Sequence, residues 1–311
     1  MQKNLVQLPE GGHVVLNELG KRVYKTFMIV GSRFKCDKGC PFCTAHITDW
    51  PKGPNCWERM PELLQSCEDA GIFFEYLTMS GNGEPAMNPP EELRFLRGVF
   101  DRFAHLFEYR RFQTGGRIFT LPEVFEQFSD FVFEITRGAV DNAADMKMLR
   151  YRRDYTRTEA FRGLDRQVVF NHCLLHGSFG DLLDDIDRYR SEYAGQLYAL
   201  NLKILNVNTL DESQFDNPGS QWILRNGLQK AELQRVLDVV DSRFERVEDY
   251  NPFFDRYEWR TEDGLPITLY ARKAKYGLPN VVFYKGELVD YQLRPLDLTA
   301  PAGLAAEEEG C

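Results

Sequence analysis

The chain has 311 residues, of which 43% are hydrophobic and 27% are charged, as is ordinary for a soluble globular protein. Its net charge of −9 argues against broad, non-specific attraction to nucleic acid. No apolar run approaches the ~20 residues that a membrane span needs, and the first residues do not resemble a signal peptide. We therefore expect a cytoplasmic protein, or one in the host cytoplasm if the chain is viral, with reduced thiols and no membrane partner.

Residues 1–24 are predicted to form an N-terminal extension containing a hairpin that turns at Gly11-Gly12. From residue 25 onward, strand-like and helix-like segments alternate. Strands are predicted at 25–31, 72–79, 107–112, 131–136, 167–172 and 198–205, with helices at 61–70, 90–105, 121–129, 141–163 and 179–193. This alternation is typical of a parallel α/β sheet or barrel, whose functional loops lie at the carboxyl ends of its strands.

The pattern changes after residue 210. The segment 211–299 is predicted to be a C-terminal α+β cap, with an amphipathic helix at 228–245 and β-rich runs at 265–271 and 281–288. Residues 300–311 are rich in Ala and Glu and are predicted to be a disordered tail.

Three cysteines, Cys36, Cys40 and Cys43, follow the first predicted core strand at a spacing of C-x3-C-x2-C. Thiolates this close together can surround one soft metal centre, either zinc or an iron–sulfur cluster. A cluster held by three cysteines leaves one iron open to a substrate or cofactor. The alternative is a closed Cys3His zinc site completed by His46. The other four cysteines form no close pair, so a second cluster is not expected.

A second motif, Ser80-Gly81-Asn82-Gly83-Glu84-Pro85, follows the second predicted strand. Its glycines allow the backbone to turn sharply and to approach a ligand without a Cβ in the way. The exposed carbonyls and the carboxylate can receive an ammonium group. Taken alone, such a segment is more often a plain turn.

Together the two motifs resemble those of the radical S-adenosylmethionine (SAM) superfamily. The signature of that family is C-x3-C-x-aromatic-C after the first strand, and Phe42 supplies the aromatic residue. Asn82-Gly83-Glu84-Pro85 is similar to the family's GGEP motif, with Asn82 replacing the first glycine. The resemblance covers residues 25–210 and implies a partial (β/α)6 TIM-type barrel as the core.

The resemblance also implies a set of cofactor contacts. Cys36, Cys40 and Cys43 would hold three irons of a [4Fe–4S] cluster, and SAM would chelate the fourth iron. An electron donor such as flavodoxin or ferredoxin would be a partner. The implied SAM-binding residues are Phe42, through its backbone near the adenine, together with Ser80, Gly81, Asn82, Gly83, Glu84, Pro85, Thr114, Glu134 and Thr136. Thr114 is alternatively a turn residue, and Glu134 a barrel-interior carboxylate.

Substrate contacts are expected at the ends of the later strands, where Asn171, His172, His176, Lys203, Asn206 and Asn208 lie. His172 or His176 is a candidate for proton transfer, although a structural histidine is the more common case. Lys203 is a candidate for holding an acidic group, or else it caps the barrel.

The expected reaction is hydrogen abstraction by a 5′-deoxyadenosyl radical, leading to rearrangement or modification of the substrate. The stretch Arg150–Arg157 is basic and aromatic. Such a run is more often a solvated helix face, and otherwise it mildly favours a phosphate-bearing substrate. The sequence leaves open a nucleoside, a base in DNA or RNA, a small metabolite or a peptide. Methyl transfer of the two-cysteine type is less favoured, because no paired methyl-carrier cysteine is evident. A non-catalytic zinc module is the alternative from another class.

Overall fold

The computed structural model describes residues 3–7, 13–43, 51–151, 155, 158–205, 217–251, 256–270, 280–289 and 295–296. The chain opens with the expected hairpin. Strands β1 (Lys3–Gln7) and β2 (His13–Asn17) pair antiparallel, and Leu16 pairs with Arg22 at the start of the next strand.

Six parallel strands form the centre of the sheet and pair in sequence order. They are β3 (Arg22–Lys35), β4 (Ile72–Gly83), β5 (Phe107–Thr114), β6 (Val132–Arg137), β7 (Val168–Leu174) and β8 (Leu197–Ile204). The predicted strand–helix alternation is therefore confirmed. Because the strands are parallel, their carboxyl ends meet at one edge of the sheet, which we call the rim.

Helices connect these strands and continue into the C-terminal region. They are α1 (Met60–Asp69), α2 (Pro90–Arg102), α3 (Pro122–Gln127), α4 (Asn142–Leu149), α5 (Leu182–Glu192), α6 (Pro218–Asn226) and α7 (Leu233–Asp241). Four of these helices (α1, α2, α3 and α6) have proline at a first-turn position, where its missing N–H costs nothing. No helix in the described part of the chain has the length and apolar character that a bilayer crossing requires.

The C-terminal strands extend the central sheet at both of its edges. They are β9 (Glu245–Asn251), β10 (Arg256–Arg260), β11 (Pro266–Tyr270), β12 (Asn280–Tyr284) and β13 (Glu287–Val289). The β11 strand pairs parallel with β8, and β12 pairs parallel with β3. Among the described strands no pairing joins β11 to β12, so the barrel is partial. The segment past residue 211 thus adds strands to the sheet as well as helices outside it.

The two faces of the sheet differ in chemistry because side chains alternate along each strand. The face toward the helices is apolar and carries Phe27, Leu77, Phe112, Phe133 and Phe170, all fully buried. The opposite face is polar. A row in register across four neighbouring strands consists of Thr136, Asn171, Asn201 and Thr268.

Several element boundaries differ from the sequence prediction, most clearly in two segments. The β4 strand runs through Gly83 rather than stopping at residue 79, so the Ser80–Gly83 segment is still paired with β3. The predicted helical region 141–163 contains only α4 and a short 3-10 turn at Thr158–Phe161. The α4 helix ends at Arg150, which adopts a positive φ of 53°. The tail 300–311 lies outside the described residues.

Candidate active site at the rim of the sheet

The cysteine loop leaves β3 and folds back on itself through short backbone contacts. The amide of Lys38 donates to Cys36 Sγ at 3.4 Å, and the amide of Cys43 donates to the Cys40 carbonyl at 3.1 Å. Gly39 donates to the Leu149 carbonyl at 3.1 Å, which ties the loop to the end of α4. All three cysteines are free thiols and half-buried.

Without a bound metal, the surroundings of Cys36 and Cys40 favour the protonated thiol. Burial raises the pKa of Cys36 to about 11 and that of Cys40 to about 12, and neighbouring thiols of the loop push both values in the same direction. At neutral pH the free thiols are therefore protonated, and bound iron would have to displace their protons. The donor set of three grouped sulfurs suits an iron–sulfur cluster.

No group of three or more His, Cys, Asp or Glu side chains in the described residues is arranged to hold a single metal ion. A cubane cluster does not need such convergence, because each cysteine binds a different iron. His46, the fourth ligand in the zinc alternative, lies outside the described residues.

Glu84 fixes the second motif to the end of the neighbouring strand. Its side chain is buried, and Oε1 accepts from the Thr114 hydroxyl at 2.8 Å and from the Ala86 amide at 3.2 Å. Oε2 accepts from the Gly115 amide at 2.6 Å. Burial raises the pKa of the Glu84 carboxyl, and these hydrogen bonds act against that rise. Glu84 therefore joins the ends of β4 and β5, and it leaves the backbone of Gly81 to Gly83 to meet a ligand.

The two motifs meet around Gly115. A Cβ built on Gly115 would lie 2.9 Å from Lys38 Cε in the cysteine loop and 3.2 Å from Glu84 Oε2. Gly83 has a φ of 137°, a conformation that side chains disfavour, so glycine is needed at this turn as well. The cysteine loop and the Glu84 segment therefore both approach Gly115 at the rim.

A buried ion pair lies next to the cysteine loop, at the end of β6. Arg137 Nε lies 3.1 Å from Asp145 Oδ2, and both side chains are fully buried. Asp145 also accepts from the Gly138 amide at 2.6 Å and from the Tyr151 hydroxyl at 2.5 Å. The Lys38 ammonium lies 4.2 Å from the centre of the Tyr151 ring.

A second tie joins the loop to the end of β5. The Tyr155 hydroxyl donates to Asp37 Oδ2 at 2.5 Å, and Arg117 Nη1 donates to the same hydroxyl at 3.0 Å. Gly116 has a φ of 98°, and a Cβ there would lie 2.7 Å from the Tyr155 Cβ. Thus Tyr151 and Tyr155 of the Arg150–Arg157 stretch pack into the site, while 152–154 and 156–157 lie outside the described residues.

Aromatic and aliphatic side chains cover the cysteine loop on its far side. Phe42 is buried and its ring centre lies 5.5 Å from that of Trp222 in α6. Both belong to a small apolar cluster with Leu149, Cys173 and Ile223. This cover excludes water from one side of the three thiols, as an oxygen-sensitive or strongly reducing centre requires.

The polar face of the sheet carries a charged network below the rim. Arg111 Nη1 donates to Glu134 Oε1 at 2.6 Å, and Gln113 donates to Oε2 at 3.0 Å. Burial acts to raise the pKa of Glu134, but the Arg111 guanidinium and the Lys203 ammonium outweigh it and hold the pKa below its usual range. Glu134 is therefore an ionised interior carboxylate that already has partners.

Lys203 faces the same network. Its Nζ lies 3.7 Å from the centre of the Tyr270 ring. Burial acts to raise the pKa of Tyr270, yet Lys203, Arg111 and Arg256 together lower it to about 8. Asn201 donates to Asn171 at 2.8 Å and accepts from Thr268. These groups provide hydrogen-bond donors and acceptors on the polar face of the sheet.

The two histidine candidates make structural contacts. His172 is buried on the helix side, with Nδ1 3.1 Å from the Tyr189 hydroxyl, and burial lowers its pKa to about 4. His176 is exposed and lies 3.0 Å from Glu232 Oε1, which caps the same loop. Neither contact places an imidazole beside the cysteine loop, so the geometry favours the structural alternative for both.

The structure thus groups the three cysteines, Phe42, the 80–85 segment and Thr114 at the rim, with Glu134 deeper in the sheet. Thr136 is half-buried at the end of β6, in register with Asn171. Asn206 and Asn208 lie outside the described residues. Sequence reasoning overlooked Lys38, although its position between two cysteines was a signal. It also overlooked Asp145 and Arg137, which carry no local motif.

Comparisons with known proteins give sequence relatives of one kind. A probable dual-specificity RNA methyltransferase RlmN from Desulforamulus reducens is 23% identical over 224 residues, covering 68% of this chain and 62% of that protein. The protein of the same name from Desulforudis audaxviator is 22% identical, covering 69% of each. The chain therefore spans less than two thirds of the first of these relatives. No protein-family model matches the chain.

Solved structures with a similar arrangement include a radical SAM methyltransferase from Sphaerobacter thermophilus. That likeness has a TM-score of 0.48 at 17% identity and covers 88% of this chain and 74% of that one. Streptococcus suis SuiB bound to its precursor peptide SuiA gives a TM-score of 0.49 at 10% identity, covering 90% and 66%.

The parallel sheet agrees with the core that the cysteine signature implies. Both motifs lie at the rim, where such a core carries its cofactors. In its two motifs and its partial parallel barrel the chain is similar to radical S-adenosylmethionine enzymes, whose cofactors are a [4Fe–4S] cluster and S-adenosylmethionine.

Proposed function

We propose that this chain modifies a base in RNA by radical chemistry at the rim of its sheet. The observation that carries the proposal is the meeting of the two motifs at Gly115. There the cysteine loop and the Glu84 segment approach the same glycine, so a cluster held by the loop and a SAM molecule held by the segment would be neighbours. RNA is favoured as the substrate because the sequence relatives carry the name of RNA methyltransferases.

Cys36, Cys40 and Cys43 would hold three irons, and the carbonyls of the Gly81–Gly83 segment would accept hydrogen bonds from the ammonium group of SAM. Together the cofactors supply one-electron cleavage of the sulfonium, giving a 5′-deoxyadenosyl radical that abstracts hydrogen. Phe42 and Trp222 exclude water from the loop. Glu84 keeps the ends of β4 and β5 at a fixed separation through Thr114 and Gly115.

The polar interior suits a nucleobase, because it offers both donors and acceptors on rigid strands. Lys203 and Tyr270 lie above the Asn171–Asn201 pair, and in the described residues Lys203 forms no ion pair. An extruded base reaching this depth would be read by hydrogen bonds at its edge, and a basic side chain would stabilise its phosphate. The net charge of −9 means that RNA would be recognised by local contacts rather than by the whole surface.

The relatives' name gives weight to methyl transfer, which the sequence pattern alone did not favour. In the described part of the chain, the cysteines outside the loop are Cys56, Cys67 and Cys173, all free. Cys67 is a residue of α1 and packs in the main core. Cys173 lies in the apolar cluster against the cysteine loop. The proposal therefore specifies modification of an RNA base and leaves the transferred group to experiment.

The test is product formation under anaerobic conditions. The reconstituted protein should bind about four irons per chain. It should release 5′-deoxyadenosine from SAM after reduction, with the release stimulated by RNA above single nucleosides, DNA and small metabolites. Mass spectrometry of the digested RNA identifies the modified base. The Cys40→Ala variant serves as the control and should give no product.

Stimulation by DNA or by a free nucleoside in place of RNA would redirect the substrate assignment. Stimulation by a small metabolite or a peptide would have the same effect. A colourless protein with one zinc and no SAM cleavage would overturn the enzyme assignment and support the zinc module.

A further inference from the structure

Lys38 is a buried cation at the centre of the site. Its side chain is 8% exposed, and within the described residues its Nζ has no hydrogen-bond partner. The nearest group given by the geometry is the face of the Tyr151 ring, 4.2 Å from Nζ. A buried ammonium without an anion is unfavourable, and an aromatic face compensates for only part of the lost hydration.

The acidic groups near Lys38 are already engaged. Asp145 accepts from Tyr151 and Gly138 and is paired with Arg137. Glu84 accepts three hydrogen bonds, none of them from Lys38. Neither carboxylate therefore forms a hydrogen bond with Lys38, although both lie close enough to influence its pKa.

Two other cations at this part of the rim have partners, whereas Arg150, whose side chain lies against Gly39, is exposed. Arg137 is held by Asp145, the Val140 carbonyl and Asn142. Arg117 lies 3.7 Å from Asp37 and donates to Tyr155. Among the described residues Lys38, Arg117, Arg137 and Arg150, Lys38 is the buried one whose charged group forms no hydrogen bond and no ion pair.

We infer that the Lys38 ammonium binds the carboxylate group of SAM. This inference rests on the proposed function, because it assumes that SAM occupies the space between the cysteine loop and the Glu84 segment. SAM brings an ammonium and a carboxylate together, and the site offers carbonyls on the β4 side and one buried cation on the loop side. One carboxylate oxygen can bind iron while the other accepts a hydrogen bond from Lys38. Lys38 is thus a positioning residue for SAM.

The experiment is a thermodynamic cycle on the cluster-loaded protein under anaerobic conditions. Dissociation constants are measured by equilibrium dialysis for SAM and for decarboxylated SAM, which keeps the sulfonium and the amine. Lys38→Met should weaken SAM binding by about 10- to 100-fold, the worth of a charge-assisted hydrogen bond. It should change binding of decarboxylated SAM by less than about twofold.

The cycle isolates the contribution of Lys38 to SAM binding. In both the wild-type protein and the Lys38→Met variant the carboxylate of SAM can bind iron, so that contribution cancels. Lys52→Met, which removes an exposed lysine outside the site, is the matched control and should change neither constant. Iron content is measured for every variant. If Lys38→Met loads less iron, Lys38→Arg and Lys38→Gln replace it, and the preference for SAM should persist with Arg and fall with Gln.

The inference is overturned if Lys38 variants weaken both ligands by the same factor, or if they change neither. The first result would mark Lys38 as a structural residue of the loop, with the proposed function intact. A wild-type protein that holds its cluster but binds neither ligand would overturn the inference together with the proposed function.

Discussion

The rim and the interior of the same sheet hold their charges in opposite ways. In the interior, Arg111 and Glu134 neutralise each other at 2.6 Å. At the rim, three thiols and the Lys38 ammonium are grouped without such a match. The presence of ionisable residues therefore does not by itself identify a functional site. The interior charges hold the strands in place, whereas in the described residues the Lys38 ammonium at the rim forms no hydrogen bond.

The strongest test of this contrast is Cys40→Ala. We expect this variant to lose iron and all SAM cleavage while keeping its fold, because the half-buried thiol contributes little packing. Iron analysis and circular dichroism measure the two properties. Cys67→Ala is the matched control, since Cys67 is fully buried in the core outside the loop. That control should lose stability and keep its iron.

The pH dependence of stability tests the helix side of the sheet. His172 has a pKa of about 4 in the folded chain and about 6.5 when unfolded. Between these values the unfolded chain binds more protons, so stability is lost as pH falls from about 6.5 to about 4. The loss should be about 3 kcal/mol in the free energy of unfolding. Urea unfolding across this range measures it, and His172→Gln should flatten the profile. An unchanged profile in that variant would contradict the buried, neutral assignment.

Removing one partner of the interior pair should destabilise the fold without affecting the cofactor. Glu134→Gln leaves the Arg111 guanidinium uncompensated, at a cost of about 2–3 kcal/mol. Urea unfolding and SAM dialysis together measure the effect. The double variant with Arg111→Met should recover part of the loss. If the Glu134→Gln protein kept wild-type stability but bound SAM weakly, Glu134 would instead be a SAM-binding residue, as the family resemblance implies.

Glu84→Gln should have the reverse profile. The amide keeps the shape of the side chain but offers one acceptor oxygen instead of two, so the Gly115 or Thr114 contact is lost. We expect a stability loss of about 1 kcal/mol. We also expect SAM to bind about tenfold more weakly, because the Gly81–Gly83 backbone is no longer fixed. Asp241→Asn is the control, since Asp241 accepts from Trp259 far along the chain and should affect stability alone.

Much of the core could be predicted because its signals are local. The alternation of strands and helices from residue 25 follows from hydrophobic runs and breakers, and the cysteine loop is recognisable from spacing alone. The sheet edges could not be predicted in this way. The parallel pairing of β12 with β3 joins residues that are more than 240 positions apart, and no short-range pattern specifies it.

The same limit applies to the site. Glu84 is visible as a motif residue, but its hydrogen bond to Thr114 depends on the pairing of β4 with β5. Asp145 lies in a polar helix with no signature, and its role follows from a buried contact to Arg137. The histidines show why position in the sequence does not by itself indicate a role. They stand near strand ends in the sequence, but in the structure His172 lies on the helix side and His176 is in an exposed loop.

We expect SAM to bind directly to the fourth iron of a cluster whose other three irons are held by Cys36, Cys40 and Cys43. Electron–nuclear double resonance on the reduced, reconstituted protein tests it, using SAM labelled with nitrogen-15 at its amino group. We predict a hyperfine coupling from the labelled nitrogen that is absent without SAM. A cluster that is fully reduced in the presence of saturating SAM and shows no such coupling would contradict the account.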